Sequence, residues 1–176
     1  MLIILGGLPG TGKSTIARQL AKTIRAVYLR IDSIEQAIKN ASQFGSQGGI
    51  NVIAEGYMTA YAIAKDNLEI GLTVVCDSVN PIEITRAAYR QIAREMNKPY
   101  LEIEIICSNE TIHKERVETR KTDIQGLTPP TWREVLDRDY EHWENKQLTI
   151  DTATQTAEQA VEKIIAKLDQ NKLCRQ

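Results

Sequence analysis

The sequence predicts a three-layer α/β fold in which a parallel sheet lies between two layers of helices. Short, almost wholly apolar runs alternate along the chain with amphipathic helical patterns. Strands that alternate with helices favour a parallel sheet covered on both faces. The 176 residues, 42% hydrophobic and 26% charged, are typical of one globular domain. We therefore expect a single domain over residues 1–170, followed by a frayed polar tail at 171–176.

Three strands and three helices are predicted in the first half of the chain. The strands are Leu2–Leu5, Ala26–Ile31 and Leu72–Cys76. The helices are Thr15–Ile24, Asp32–Asn40 and Asn51–Ile70. Asp32, with Glu35 three residues later, resembles a capping box and is expected to cap the second helix. Residues 41–50, which hold Ser, Gln and three Gly, are predicted to form a mobile loop.

The second half predicts two further strands and four helices. The strands are Tyr100–Cys107 and Gln147–Ile150. The helices run from Pro81 to about Met96, from Ser108 or Asn109 to Arg120, from Thr131 to about Trp143, and over Thr154–Leu168. Asn80 is the expected cap of the first of these helices, and Thr131 with Glu134 opens the third in a capping box. Lys121–Pro130 is a polar connection.

A glycine-rich segment separates the first predicted strand from the first predicted helix. Its residues are Gly7, Leu8, Pro9, Gly10, Thr11, Gly12, Lys13 and Ser14, which fit the pattern G-x-x-x-x-G-K-[ST] without a mismatch. Glycines let main-chain N–H groups point inward and, with the N-terminus of the following helix, form an anion site. The flanking strand and helix are the context that this pattern requires. We predict a nucleotide-binding loop; the alternative is a glycine-rich turn without a ligand.

Three side chains at the end of this loop predict which ligand it holds. Lys13 supplies a point charge for the β- and γ-phosphates of ATP, and Thr15 is expected to reach the α-phosphate. Ser14 offers a hydroxyl to Mg²⁺, which prefers oxygen ligands. ATP and Mg²⁺ are therefore the predicted cofactors.

Two predicted strands end in an aspartate, Asp32 after the second and Asp77 after the third. Both carboxylates should lie on the same rim of the sheet as the glycine-rich loop. One can orient the Mg²⁺ shell, and the other can accept a proton from an attacking hydroxyl. We assign Asp32 to the acceptor side, or to a mere helix cap, and Asp77 to the metal or acceptor side, or to a turn. The sequence leaves open which of the two is the base. Arg30 shares strand parity with Asp32 and is expected either to touch the acceptor or to form a surface ion pair.

A charged helix end carries Arg116 and Arg120, which are four residues apart and so share a face. An arginine that closes over a transferring phosphoryl group is worth about 10³–10⁵ in rate. We predict a lid over about residues 112–135; the alternative is a solvated helix face paired with Glu115 and Glu118. The two histidines, His113 and His142, have no partner at metal-ligand spacing, and no zinc site is predicted.

In their order along the chain, these residues resemble the P-loop kinases, a family that includes gluconate, shikimate and adenylylsulfate kinases, chloramphenicol phosphotransferase, zeta toxins and polynucleotide kinase. The resemblance implies a P-loop NTPase fold, an α/β/α sandwich with five parallel strands in the order 2-3-1-4-5. It also implies an acceptor-side aspartate at Asp32 and lid arginines at Arg116 and Arg120. Thr152, in a loop after the fifth strand, is then expected to lie against the adenine.

A second part of the resemblance concerns the turn Asp77-Ser78-Val79-Asn80-Pro81, with Arg86 beyond it. It is similar to the turn of polynucleotide-kinase-like members, which implies that Asp77, Asn80 and Arg86 face the acceptor. The formal net charge is −1, so there is no net basic field to attract nucleic acid or an anionic membrane, and a nucleic-acid acceptor is not expected.

The predicted function is transfer of the γ-phosphoryl group of ATP to a hydroxyl of a small molecule. The alternatives are a 5′-OH polynucleotide kinase and a P-loop ATPase or switch that is not a kinase. A GTPase would need N-K-x-D, which none of the three Asn-Lys pairs supplies, and an additional helical domain of a AAA+ motor would not fit this length.

The expected location is the cytoplasm, with a monomer or homodimer as the expected state. The four apolar residues at the start have no basic segment before them, so no signal peptide is predicted, and no apolar run reaches membrane-spanning length. Cys76, Cys107 and Cys174 form no C-x-x-C pair and are expected to be reduced, buried thiols.

Overall fold

The structure, a computed structural model, describes residues 1–42 and 51–173. Its strands are β1 (Leu2–Gly6), β2 (Val27–Arg30), β3 (Val74–Asp77), β4 (Tyr100–Ile106) and β5 (Leu148–Asp151). All four pairings between neighbouring strands are parallel, and the strand order is β2-β3-β1-β4-β5. The predicted fold class and strand order are therefore confirmed.

Seven helices accompany these strands in the described part of the chain. They are α1 (Lys13–Ile24), α2 (Ile31–Ser42), α3 (Val52–Glu69), α4 (Glu83–Glu95), α5 (Glu110–Thr119), α6 (Trp132–Leu136) and α7 (Ala157–Leu173). The predicted loop lies outside the described residues from position 43 to 50, and so do positions 174–176 of the predicted tail, including Cys174. Within the described ranges, no helix has the length and apolar character needed to cross a membrane.

The core has two halves because successive strand side chains point to opposite faces of the sheet. On one face, Ile3 and Leu5 of β1 pack with α1 and α7. On the other face, Leu2, Ile4 and Cys76 pack with α3 and α4. The sheet is therefore the middle layer of three, as the near-continuous apolar strands indicated.

Both cysteines in the described residues, Cys76 and Cys107, are buried free thiols, as expected. Burial is the main reason that the pKa of Cys76 rises to about 12. A thiol with so high a pKa forms little thiolate and is a poor nucleophile. Cys76 therefore acts as a small apolar core residue.

The starts of two helices differ from the prediction. α2 begins at Ile31, directly after β2, so Asp32 lies inside its first turn and does not cap it. α4 begins at Glu83 with Ile82 as its cap, and Asn80 has a positive φ of 48° in the turn before it. The predicted caps at Asn109 and Thr131 are confirmed, the second as a full capping box. Asp32 is thus carried by a helix that continues the strand without a loop.

The predicted helix from Thr131 to about Trp143 is too long, since α6 ends at Leu136. Trp143 is fully buried, with its ring 4.6 Å from the guanidinium carbon of Arg86. The chain leaves the helical path after Leu136 to bring this ring under β1, where an added Cβ on Gly6 would overlap it. Burial of a large aromatic ring outweighs the local helical pattern.

The carboxyl ends of the five parallel strands form one rim of the sheet. On it, Asp77 pairs in register with both Leu5 of β1 and Arg30 of β2. Side chains that follow β1, β2 and β3 are therefore neighbours, although they are far apart in sequence. This is the edge at which ligands bind in open parallel sheets.

Candidate functional site

The glycine-rich segment forms a tight loop between β1 and α1. Gly7 and Gly10 have φ values of 144° and 86°, a region that favours glycine. A Cβ on Gly7 would overlap the carbonyl oxygen of Ile105 in β4, and a Cβ on Gly10 would overlap Val117 of α5. The glycines thus allow both the backbone turn and its close contact with β4 and α5.

Hydrogen bonds from three other parts of the chain hold the loop in place. The N–H of Gly7 donates to the Val79 carbonyl at 3.1 Å. The Thr152 hydroxyl donates to the Thr11 carbonyl at 2.8 Å, and the buried His113 ring lies 2.8 Å from the Pro9 carbonyl through Nε2. His113 therefore supports the loop from α5, and Thr152 supports it from the segment after β5.

Lys13, Asp77 and Tyr28 meet beneath the loop. The Lys13 ammonium lies 3.8 Å from Asp77 Oδ1, and the Tyr28 hydroxyl donates to Asp77 Oδ2 at 2.7 Å. Asp77 is only 2% exposed. Burial, followed by the Asp77 charge, raises the pKa of Tyr28, so the phenol remains a donor that orients the carboxylate. The sequence prediction missed Tyr28, although it shares strand parity with Arg30.

A cavity of 1290 Å³ opens over the loop and extends to α2 and to the segment after α5. Its lining includes Lys13, Ser14, Thr15, Asp32, Arg116, Arg120 and Thr152. These residues come from four separate parts of the chain, and the structure brings them to one cavity. Among the described residues, eight cationic side chains and four carboxylates line the cavity, so this part of its lining has a positive charge.

Glu35 is a cavity residue that the sequence prediction used only as part of a capping pattern. It follows Asp32 by three residues on α2, so both carboxylates face the cavity. Burial, with a smaller effect of the Asp32 charge, raises the pKa of Glu35 to about 7. The three-residue spacing was the signal that could have identified it. The site therefore holds, beside Asp32, a carboxyl group whose pKa lies near neutral pH.

Glu35→Gln is expected to change how stability depends on pH. The pKa of Glu35 in the folded protein is about 7, against an ordinary value of 4.5. Since folding favours the protonated form, this contribution to stability is complete below the ordinary pKa and is lost as pH rises through the folded value. Because solvent surrounds part of this half-buried carboxyl, the expected loss in the free energy of unfolding is only about 1 kcal/mol.

Thermal melts of both proteins between about pH 4 and pH 8 measure this loss. The melting temperature of the unmodified protein should fall relative to the Gln variant as pH rises. Glu69→Gln, at an exposed position at the end of α3, is the matched control and should melt in parallel with the unmodified protein. Parallel curves for Glu35→Gln as well would contradict the assignment.

Arg116 is held at the far side of the cavity by Thr152. Its Nη1 donates to the Thr152 hydroxyl at 2.9 Å and its Nη2 to the Thr152 carbonyl at 3.1 Å. Arg120 follows at the end of α5 and also lines the cavity. Thr152 also binds the loop at Thr11, so the positions of Arg116 and the loop are linked through one side chain.

Asn80 and Arg86, which the sequence assigned to the acceptor, lie buried with their hydrogen bonds directed at backbone carbonyls. Arg86 is 1% exposed, and neither residue lines the cavity. Arg86 donates to the carbonyls of Asn80, Pro81, Glu141 and His142 at 2.6–2.9 Å. The fully buried Asn80 amide donates to the Leu5 carbonyl at 3.0 Å. Both side chains fix the turn, Asn80 against β1 and Arg86 against the segment before Trp143.

Arg30 forms an ion pair, and its partner comes from a distant part of the chain. Its Nη1 donates to Asp123 Oδ1 at 2.8 Å, while Nη2 of Arg18 donates to Asp123 Oδ2 at 2.6 Å. Hydrogen bonds from Arg30 and then Arg18 lower the pKa of Asp123 to about 2. The segment after α5 is thus tied across the cavity to α1 and β2. The sequence prediction did not include Arg18, for which no local pattern gave a signal.

Comparison with known proteins gives both a family and a set of similar folds. A family model described as AAA domain matches residues 2–138. The chain is 28% identical over 181 residues to an adenylyl-sulfate kinase of Prochlorococcus marinus, covering 96% of this chain and 83% of that protein.

Two solved structures with 18% sequence identity share the fold. One is the Mycobacterium tuberculosis APS kinase CysC in complex with AMPPNP and APS, with a TM-score of 0.72 and 96% of each chain covered. The other is a gluconokinase from Sinorhizobium meliloti, with a TM-score of 0.65 and coverage of 98% of this chain and 95% of that one.

Proposed function

Since the chain belongs to the AAA domain family whose model spans residues 2–138, we propose that it is an ATP-dependent kinase that transfers the γ-phosphoryl group to a hydroxyl of a small molecule. The predicted resemblance to P-loop kinases is confirmed, because the relative from Prochlorococcus marinus is named adenylyl-sulfate kinase and the similar structures include an APS kinase and a gluconokinase. The identity of the acceptor differs among these proteins, so the family alone does not name it.

One observation carries the proposal: the glycine-rich loop, Asp32, Arg116 and Arg120 line a single cavity. A kinase needs a phosphate site, a group that receives the hydroxyl proton and a cation that stabilises the transferring group. A nucleotide switch would need only the first. The presence of all three kinds of group around one space favours transfer over binding alone.

On the nucleotide side, the loop amides and the Lys13 ammonium are proposed to hold the β- and γ-phosphates. Thr15, exposed at the start of α1, is proposed to contact the α-phosphate. Thr152 lies beside the loop at Gly12, where its methyl group would lie 3.6 Å from an added Cβ. That position supports its proposed contact with the nucleoside.

Ser14 and Asp77 have the chemistry of magnesium ligands, although Asp77 lies beneath the loop and is not part of the cavity lining. Ser14 supplies a hydroxyl in the cavity, and Asp77 supplies a carboxylate that Tyr28 holds by one oxygen. The other oxygen is 3.8 Å from Lys13, so it has capacity for a further partner. Mg²⁺ prefers such hard oxygen ligands, and when bound it neutralises phosphate charge. Ser14 and Asp77 are its proposed protein ligands.

In the proposed reaction, the acceptor oxygen forms a bond to the γ-phosphorus while the bond between that phosphorus and the β–γ bridging oxygen breaks. The hydroxyl proton passes to the Asp32 carboxylate, and ADP is the leaving group. Arg116 and Arg120, in a proposed lid over about residues 112–135, stabilise the charge on the equatorial oxygens. No step needs a redox partner.

A screen of acceptor-dependent ATP consumption by the purified protein tests this proposal. Sugars, nucleosides, antibiotics and 5′-OH oligonucleotides are the acceptor classes, and Lys13→Ala is the matched negative control. We expect one small-molecule class to raise ATP consumption and to gain the mass of one phosphoryl group. Stimulation only by oligonucleotides, or ATP binding with no phosphorylated product in any class, would contradict the proposal.

A further inference from the structure

One part of the cavity is not used by the proposed transfer chemistry. It is formed by Arg18 of α1, Arg30 at the end of β2 and Asp123 in the segment after α5, all of which line the cavity. One carboxylate binds two guanidinium groups here, one on each oxygen. The cluster is therefore built around an oxyanion, which the protein itself supplies.

Arg30 has unused capacity to donate hydrogen bonds. Its side chain is only 10% exposed, and a buried guanidinium is normally paired through all of its N–H groups. The Nη1 atom binds Asp123, whereas the buried Nε atom has no hydrogen-bond partner among the described residues. Arg30 thus has a buried donor beyond those that Asp123 satisfies.

Asp123 is a replaceable partner for these arginines. Its side chain is 54% exposed, and so is 57% of Arg18, and ion pairs this exposed to solvent contribute little to stability. The arginines lower the pKa of Asp123 to about 2, so its charge persists through ordinary pH values. An incoming anion must therefore compete with the charged Asp123 carboxylate, whose ion pair with Arg18 is exposed to solvent and weak.

The position of the cluster places it beside the proposed acceptor. Arg30 precedes Asp32 by two residues and pairs in register with Asp77. Arg18 lies one helical turn after Ser14, which is about 6 Å along the axis of α1. A molecule bound here by one group would share the cavity with the proposed base and the glycine-rich loop.

We propose that Arg18 and Arg30 form a subsite for an oxyanion carried by the acceptor, a phosphate, sulfate or carboxylate group, and that Asp123 occupies this subsite in the free enzyme. The inference rests on the proposed function and narrows its substrate class to anionic hydroxyl compounds. When such an acceptor binds, its anion replaces Asp123 and releases the segment after α5 from α1 and β2. Lid position is thereby coupled to acceptor binding.

The test uses anion binding to the full chain with the phosphate loop already filled. Saturating Mg²⁺ and a non-hydrolysable ATP analogue occupy the loop, and sulfate or acetate is then titrated at constant ionic strength by calorimetry. Asp123→Asn removes the internal competitor and should strengthen sulfate binding about tenfold. Arg30→Gln should weaken it at least about tenfold, and Arg18→Gln by a smaller factor. Tighter binding of sulfate than of acetate would indicate a subsite for a phosphate or sulfate group, and the reverse order would indicate one for a carboxylate.

Asp137→Asn is the matched control, since Asp137 also forms an exposed pair with an arginine, Arg133, but does not line the cavity. It should bind sulfate like the unmodified protein. Equal sulfate affinity in Asp123→Asn, Arg18→Gln and the unmodified protein would overturn the inference, and so would full binding by Arg30→Gln. Arg18→Gln keeps the test decisive if Arg30→Gln does not fold, because Arg18 is exposed.

The first step of the experiment separates the two proposals. If the ATP analogue itself does not bind, the proposed function fails, and this inference fails with it. If the analogue binds but sulfate affinity does not depend on Arg18, Arg30 or Asp123, the anion subsite is wrong and the kinase proposal stands.

Discussion

Lys13→Ala is expected to abolish ATP turnover, with a fall in rate of at least about 10²-fold. The ammonium group lies at the start of α1 beneath the glycine-rich loop, in the cavity where the β- and γ-phosphates are proposed to bind. Backbone amides would still contact the phosphates, but the positive charge of the Lys13 ammonium, which is proposed to stabilise the γ-phosphoryl group during transfer, would be missing. Steady-state ATP hydrolysis and acceptor phosphorylation measure the loss.

The Lys13 variant should nevertheless remain folded. Its only ion pair among the described residues is the 3.8 Å contact with Asp77, which is too long for a strong hydrogen bond. Asp77 keeps its hydrogen bond from Tyr28 at 2.7 Å. Lys114→Ala, at an exposed position of α5, is the control and should retain full activity. Undiminished turnover in Lys13→Ala would remove the physical basis of the phosphate-loop mechanism.

Asp32→Asn should reduce phosphoryl transfer to the acceptor by about 10²–10⁴-fold, the range for loss of a positioned general base. The amide has nearly the same shape as the carboxylate but cannot take the hydroxyl proton. Asp32 comes from the β2–α2 junction and not from the glycine-rich loop. Affinity for ATP should therefore change little, which calorimetry with the non-hydrolysable analogue measures directly.

The contrast between transfer and nucleotide binding is the critical readout for Asp32. Asp66→Asn, an exposed aspartate on α3, makes the same chemical change away from the cavity and should leave both quantities unchanged. If Asp32→Asn weakened ATP binding as much as transfer, Asp32 would be a residue that supports the site's structure and not the base.

The sequence determined the layered fold, because its signals are local. An apolar run of strand length and a period close to 3.6 are visible within a few residues, and their alternation leaves few topologies. Gly7, Gly10 and Lys13 could be recognised for the same reason, since a loop that surrounds phosphate with its own backbone is encoded by contiguous residues. Asp32 and Asp77 could be identified as candidates because the carboxyl ends of parallel strands lie at the same edge of a sheet.

Contacts between distant parts of the chain were decided only by the tertiary structure. Asn80 and Arg86 have the composition of ligand-binding residues, yet burial assigns their hydrogen bonds to backbone carbonyls. The sequence also could not identify the ion-pair partner of Arg30. Asp123 lies 93 residues further along the chain, and no spacing rule relates the two residues. A sequence pattern shows which groups a segment can offer. Whether those groups meet solvent, a ligand or another part of the protein depends on packing, which brings distant segments together and removes water from between them.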